Sequence, residues 1–154
     1  MMNKEKKQNY IKEMTSHFDK SEAVIVTHYQ GLTVNQLDQL RAKMREHGII
    51  FKITKNRITK LALEKTRCKE LSNLFTGPTA VALSKDAITS AKILTNFSKE
   101  NSNLKILGGI MGNDILDVAG VKNVATLPTL DEARAKIVGI LRSPAQKIAS
   151  ILLA

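Results

Sequence analysis

Apolar positions Tyr10, Ile11, Met14 and Phe18 fall three and four apart between Asn3 and Lys20, which places them on one face of a helix. The run Ala23-Val24-Ile25-Val26 is too short for a helix and predicts a strand from Glu22 to Tyr29. Gln30-Gly31-Leu32 reads as a turn, with Gly31 supplying a backbone conformation that other residues resist. Thr33 and Gln36 then stand at capping-box spacing before a second helix. Its expected buried stripe is Val34, Leu37, Leu40 and Met44, and Gly48 ends it. Ile49 to Thr54 alternates as a second strand, Phe51 and Ile53 inward and Lys52 outward. Asn56 is placed to cap a third helix that runs to about Thr66, with Leu61, Ala62 and Leu63 on its buried side. A short helical turn over Leu71 to Phe75 is broken by Gly77-Pro78, and Thr79 to Leu83 forms a third strand. Asp86 caps a fourth helix that faces Ile88, Ala91 and Leu94 inward, with Phe97 at the edge of the stripe. Leu104 to Met111 is a fourth strand, closed by Gly112-Asn113-Asp114, and a shorter helix spans Asp117 to Ala125.

Two βαβ-like units joined by a helix predict an α+β fold, a ferredoxin-like split βαβ sandwich. A doubly wound parallel sheet is the alternative, but it would want longer and more continuously apolar strands. Leu127-Pro128-Thr129 marks a boundary, because Pro128 disfavours helix at Leu127 and Thr129 with Glu132 starts a fresh capping box. Residues 1–126 therefore form one domain and residues 127–154 an extended C-terminal helical spine, with Pro144 expected to kink or break it.

That last helix contains a repeat. Lys136-Ile137-Val138-Gly139-Ile140-Leu141 recurs as Lys147-Ile148-Ala149-Ser150-Ile151-Leu152, offset by 11 residues. Eleven residues are close to three helical turns, so both copies share a face. Most amphipathic helices pack on their own core. A repeated apolar face beyond a domain boundary instead suggests repeated docking of one kind of partner through Ile137, Ile140, Leu141, Ile148, Ile151 and Leu152.

Charge sharpens this picture. The 154-residue chain has a net charge of +10, and residues 1–70 hold 15 Lys and Arg against 8 Asp and Glu. Such a balance predicts attraction to polyanions. The single cysteine, Cys68, excludes an internal disulfide framework and fits a reducing compartment. The charged N-terminus has no secretory pattern, and no stretch approaches a membrane span. Histidines 17, 28 and 47 lack metal-ligand spacing. Gly108-Gly109-Ile110-Met111-Gly112 lacks the spacing of a nucleotide loop and reads as close packing or a bulge. Carboxylates are few and dispersed, so neither a catalytic residue, a metal nor a cofactor is expected.

The remaining candidate is the strand-to-helix junction in FKITKNRITKLALEK, residues 51–65. Lys52, Lys55, Arg57 and Lys60 surround Asn56 there with no acid among them, and helix starts already favour anions. A lone charge run is ordinarily a solvated face. Clustering in the basic half of the chain favours nucleic acid instead. Gln30 and Gly31 follow another strand and are expected nearby, and Lys4, Lys6 and Lys7 extend the patch. Aromatics make up only 4% of the chain, which argues for folded RNA recognised by backbone and shape rather than for single strands.

Four blocks, AVIVTHYQGLTVNQLDQLR, FKITKNRITKLALE, LFTGPTAVALSKD and VATLPTLDEARAKIVGIL, resemble in order the bacterial stalk-base protein of the large ribosomal subunit, the tenth large-subunit family. The resemblance implies an N-terminal domain bound to large-subunit ribosomal RNA beside the eleventh large-subunit protein. It also implies a C-terminal spine, Thr129 to Ala154 here, that carries dimers of the acidic stalk protein and through them recruits GTP-bound translation factors on the cytoplasmic ribosome. Carried over, Lys55, Asn56, Arg57 and Lys60 become RNA contacts, together with Gln30 and Gly31. Many members continue past the position of Ala154, and the repeat by itself predicts two dimers. The alternative is a basic membrane-surface protein using the C-terminal helix, or another RNA-binding adaptor.

Overall fold

The run Ala23-Val24-Ile25-Val26 lies within β1 (Ala23–His28), the central strand of a five-stranded sheet. In the computed structural model, which describes residues 4–64, 66 and 68–153, β1 is antiparallel to both β3 (Thr79–Ser84) and β4 (Lys105–Met111). The edges are β2 (Ile50–Ile53), paired with β3, and β5 (Asp114–Asp117), paired with β4. The order β2-β3-β1-β4-β5 contains the expected split βαβ connectivity, with β5 added outside β4. Asn3, Lys65 and Ala154, which bound elements or stretches in the sequence reading, lie outside the described residues.

The strand sequences are apolar at successive positions because both faces of the sheet are covered. On one face Val24, Val26, Val81 and Leu83 meet α1 (Lys4–Lys20) through Met14 and Phe18. The same cluster takes Ala62 and Leu63 of α3 (Asn56–Leu63), and Leu71 of a 3-10 turn over Lys69–Leu74. On the other face Ile25, Ala82 and Ile106 meet Leu40 and Met44 of α2 (Val34–Glu46). Leu94 and Phe97 of α4 (Ala87–Glu100) and Val121 and Val124 of α5 (Val118–Thr126) complete that core. The second βαβ helix layer of the expected sandwich is therefore joined by a third layer built from α1, α3 and the 3-10 turn.

Caps follow the sequence closely. Thr33 and Gln36 exchange both bonds of a capping box, and the Asp86 carboxylate accepts from the Ile88 backbone N–H. The glycine cluster resolves into two roles. The β1–β4 register slips between Val26 and Thr27, leaving Leu107 as the extra residue of a bulge beside Gly108, whose φ is +153°. Both glycines also allow close approach: a Cβ on Gly109 would sit 2.6 Å from the Val24 carbonyl oxygen, and one on Gly108 2.7 Å from the Leu116 carbonyl oxygen.

Four expectations change. Val34 is 73% exposed, because the first residue of α2 precedes the turn that touches the sheet. Leu61 is 51% exposed, whereas Thr59, Ala62 and Leu63 of α3 are buried. Ile53 is 40% exposed at the end of β2, an edge strand. Gly112-Asn113 does not merely close a strand: it joins Met111 to Asp114 as a two-residue hairpin loop, with positive φ at Gly112 alone.

The final helix, α6, runs unbroken over Leu130–Leu153 and passes through Pro144. Proline's fixed φ suits a helix, and its missing N–H frees only the Ile140 carbonyl, which water reaches on a helix this exposed. Thr129 and Glu132 form the expected capping box. Glu132 also accepts from Lys92 of α4 at 2.7 Å, which ties the first turn of α6 to the sandwich.

Candidate nucleic-acid interface

Because β1 and β2 both run antiparallel to β3, their C-terminal ends emerge at the same end of the sheet. Strands lie ~4.8 Å apart, so these two ends stand ~10 Å from each other across β3. One carries Thr54-Lys55-Asn56-Arg57 and the other Tyr29-Gln30-Gly31, with Gly77-Pro78 entering β3 between them. The expected neighbourhood of the two turns is thus a consequence of strand direction.

Asn56 does not cap α3. The cap position is Lys55, with no side-chain bond to the helix start. The Asn56 amide instead donates to the Gly77 carbonyl at 2.7 Å, and its oxygen accepts from the Thr79 hydroxyl. Both ends of the side chain are spent on the loop before β3. The asparagine therefore fixes the cationic turn to the sheet, and no side chain caps the first N–H groups of α3. Buried Thr54 reinforces the joint through the Thr79 carbonyl, 3.4 Å away.

Lys55 and Arg57 are exposed on this turn, and with Lys7 of α1 they line one groove together with Asn56, Leu61 and Gly77. Of the three N-terminal lysines, Lys7 joins the patch; Lys6 is exposed outside the groove, and the Lys4 side chain lies outside the described residues. Lys60, half-buried in the last turn of α3, and Lys52 do not line it. Lys52 faces α1 rather than open solvent, and its ammonium is hydrogen-bonded to Glu13. That contact and its charge hold the Glu13 carboxyl below its usual range, with His17 assisting from 3.5 Å. Since the folded value is depressed, the contribution of this carboxylate is present above the ordinary pKa and lost as pH falls through the folded one. Lys52→Met should raise the Glu13 titration midpoint, readable by side-chain NMR, and an unchanged midpoint would dismiss the pairing.

Gly31 has φ +90° and receives the Asn103 amide on its carbonyl at 2.7 Å. A Cβ there would be 3.3 Å from Asn103 Cγ, so both conformation and space favour glycine. The residue readings missed Gly77, Thr79 and His28. A Cβ on Gly77 would lie 3.5 Å from the His28 ring, whose Nε2 is buried with no partner among the described residues. The Gly77-Pro78 breaker was the only local sign of this loop's importance.

The second candidate surface is α6. Ile137, Ile140, Leu141, Ile148, Ile151 and Leu152 are between 60% and 81% exposed, so among the described residues these six side chains stay largely uncovered. Among the described residues no helix is long and apolar enough to cross a membrane, and no three His, Cys, Asp or Glu side chains gather to hold a metal.

Residues 2–99 match the family model described as ribosomal protein L10. The chain is 72% identical over 153 residues to the large ribosomal subunit protein uL10 of Pelagibacter ubique, covering 99% of this chain and 92% of that one. It is 47% identical to the uL10 of Rhodospirillum rubrum over 150 residues, 97% of this chain and 87% of the relative. For the uL10 of Brucella suis the figures are 45% over 148 residues, 96% and 86%. With more than half its length in the family model and such relatives over nearly its whole length, the chain belongs to the ribosomal protein L10 family, the structural and non-enzymatic proteins of the large subunit of the cytoplasmic ribosome.

Proposed function

We propose that the chain is a two-ended scaffold at the base of the large-subunit stalk. Residues 1–126 bind large-subunit ribosomal RNA, beside the eleventh large-subunit protein, through the sheet end that carries Lys55, Asn56 and Arg57. Residues 127–154 anchor dimers of the acidic stalk protein, which recruit GTP-bound translation factors. The observation that carries this reading is the repeated apolar face of α6, left uncovered beside a domain whose own two cores are complete without it. An apolar stripe of this extent calls for a partner.

Native mass spectrometry of the chain with the acidic stalk protein should count two bound dimers, one for each 11-residue copy. One or three would dismiss that assignment of the repeat. At the RNA end, Arg57 makes no ion pair among the described residues and stands exposed on the anchored turn. Arg57→Ala should weaken RNA binding about tenfold at physiological salt. It should also reduce the slope of log affinity against log salt by ~0.7–0.9, the release expected for one phosphate contact. An unchanged slope would remove Arg57 from the contact set.

A further inference from the structure

The same end of the sheet continues past Gly31. Beyond β1 lies the start of β4, where Lys105 is exposed and paired in register with His28. The chain reaches β4 from the C-terminal end of α4, and α5 packs alongside. Between α4 and α5 is a groove of about 450 Å³, lined by Thr95, Asn96, Lys99, Ile106, Lys122 and Thr126.

Three observations distinguish this groove from an ordinary helix–helix crease. Lys99 and Lys122 approach it from opposite walls, and neither makes an ion pair among the described residues. The nearby acids are engaged elsewhere: Glu100 with Lys43 at 3.5 Å, Glu132 with Lys92, and Asp131 with Arg134. The Thr95 hydroxyl is buried and has no hydrogen-bond partner among the described residues. A mid-helix threonine ordinarily bonds back to its own helix, so an unspent buried hydroxyl needs explaining. A neighbouring Thr126 hydroxyl does bond locally, to the Asn123 carbonyl at 2.7 Å.

We infer that the α4–α5 groove is a second phosphate-binding site for the RNA, with Lys99 and Lys122 as its cations and the exposed Asn96 as a neutral donor, the buried Thr95 hydroxyl lying too deep to touch a phosphate. The inference rests on the reading that the Lys55–Arg57 end binds RNA. The two clusters lie at least three strand spacings apart, ~14 Å, so one phosphate cannot serve both. They meet different stretches of backbone, and Lys105 precedes Ile106 of the groove on β4. Such a span suits a folded RNA presenting two strands, and the scarcity of aromatics again points to backbone recognition.

The test is RNA binding by the full chain carrying Lys99→Ala and Lys122→Ala together, titrated against a large-subunit rRNA fragment over a salt series. Both lysines are exposed, so the fold should be kept, which an unchanged thermal melt verifies. Affinity at physiological salt should fall ten- to thirtyfold, and the salt slope should drop by ~1.4–1.8, the release of two contacts. Arg57→Ala is measured in parallel. If it weakens binding while the double variant matches the parent, the second site is overturned and the first stands. If neither weakens binding, the RNA reading itself fails, and the groove with it. If the double variant keeps its RNA affinity but loses the acidic stalk protein, the groove serves a protein carboxylate and the inference is overturned.

Discussion

Removing residues 129–154 should abolish binding of the acidic stalk protein and leave RNA affinity within twofold of the full chain. The stripe that would be lost comprises Ile137, Ile140, Leu141, Ile148, Ile151 and Leu152, none of which contributes to either core. Full burial of one such side chain against a partner is worth ~1.5–3 kcal/mol, and six of them dominate any docking surface on this helix. A loss of well over a hundredfold in affinity is therefore expected. The body should not notice. Among the described side-chain contacts, α6 meets α4 through Lys92 and Glu132, a solvent-facing pair that contributes little to stability. The thermal midpoint of the truncated chain should match the parent within a few degrees. A shorter truncation that removes only the second copy should halve the number of dimers counted by mass. Loss of RNA binding along with dimer binding would sink the two-ended scaffold.

How far the sequence foretold this molecule depended on how local each signal was. The capping boxes at Thr33 and Thr129 and the cap at Asp86 were legible because both partners lie within four residues. The split βαβ connectivity followed from element order and boundary signals. The exposed ends were not legible, since periodicity tells which positions share a face but not how far the facing layer reaches. Val34 begins α2 before it meets the sheet, and Ile53 ends an edge strand. The hairpin at Gly112-Asn113 hid because Asp114–Asp117 is short and its pairing to β4 gives it no apolar alternation of its own. At the Lys55–Arg57 end, the cations were visible as a cluster. Asn56 was misassigned because the local rule for a helix start competes with Gly77 and Thr79, more than twenty residues away. The bulge in the glycine cluster was anticipated, and Gly109's partner was not.

Gly109→Ala should destabilise the chain by on the order of 3 kcal/mol or more. The new Cβ would meet the Val24 carbonyl oxygen at 2.6 Å and Ile25 Cα at 3.2 Å. Both are backbone atoms of the central strand, so no side chain can swing away to relieve them. Relief requires β1 and β4 to separate, and β1 is the strand on which both cores are built. Two other glycines separate the causes. Gly112→Ala meets nothing within 4 Å but inherits φ +63°, and should cost ~1 kcal/mol for conformation alone. Gly139→Ala also meets open space, lies within α6, and should favour that helix by ~0.5–1 kcal/mol without moving the unfolding of the body. Urea denaturation of the three variants should rank them in that order, and a Gly109 variant as stable as the parent would refute the close approach. The consequence reaches the proposed RNA-binding end as well. The strands forced apart are the ones that hold Gln30-Gly31 and Lys105 at a common level, so a folded remnant of the Gly109 variant should bind RNA with a reduced salt slope even though no cation has been removed.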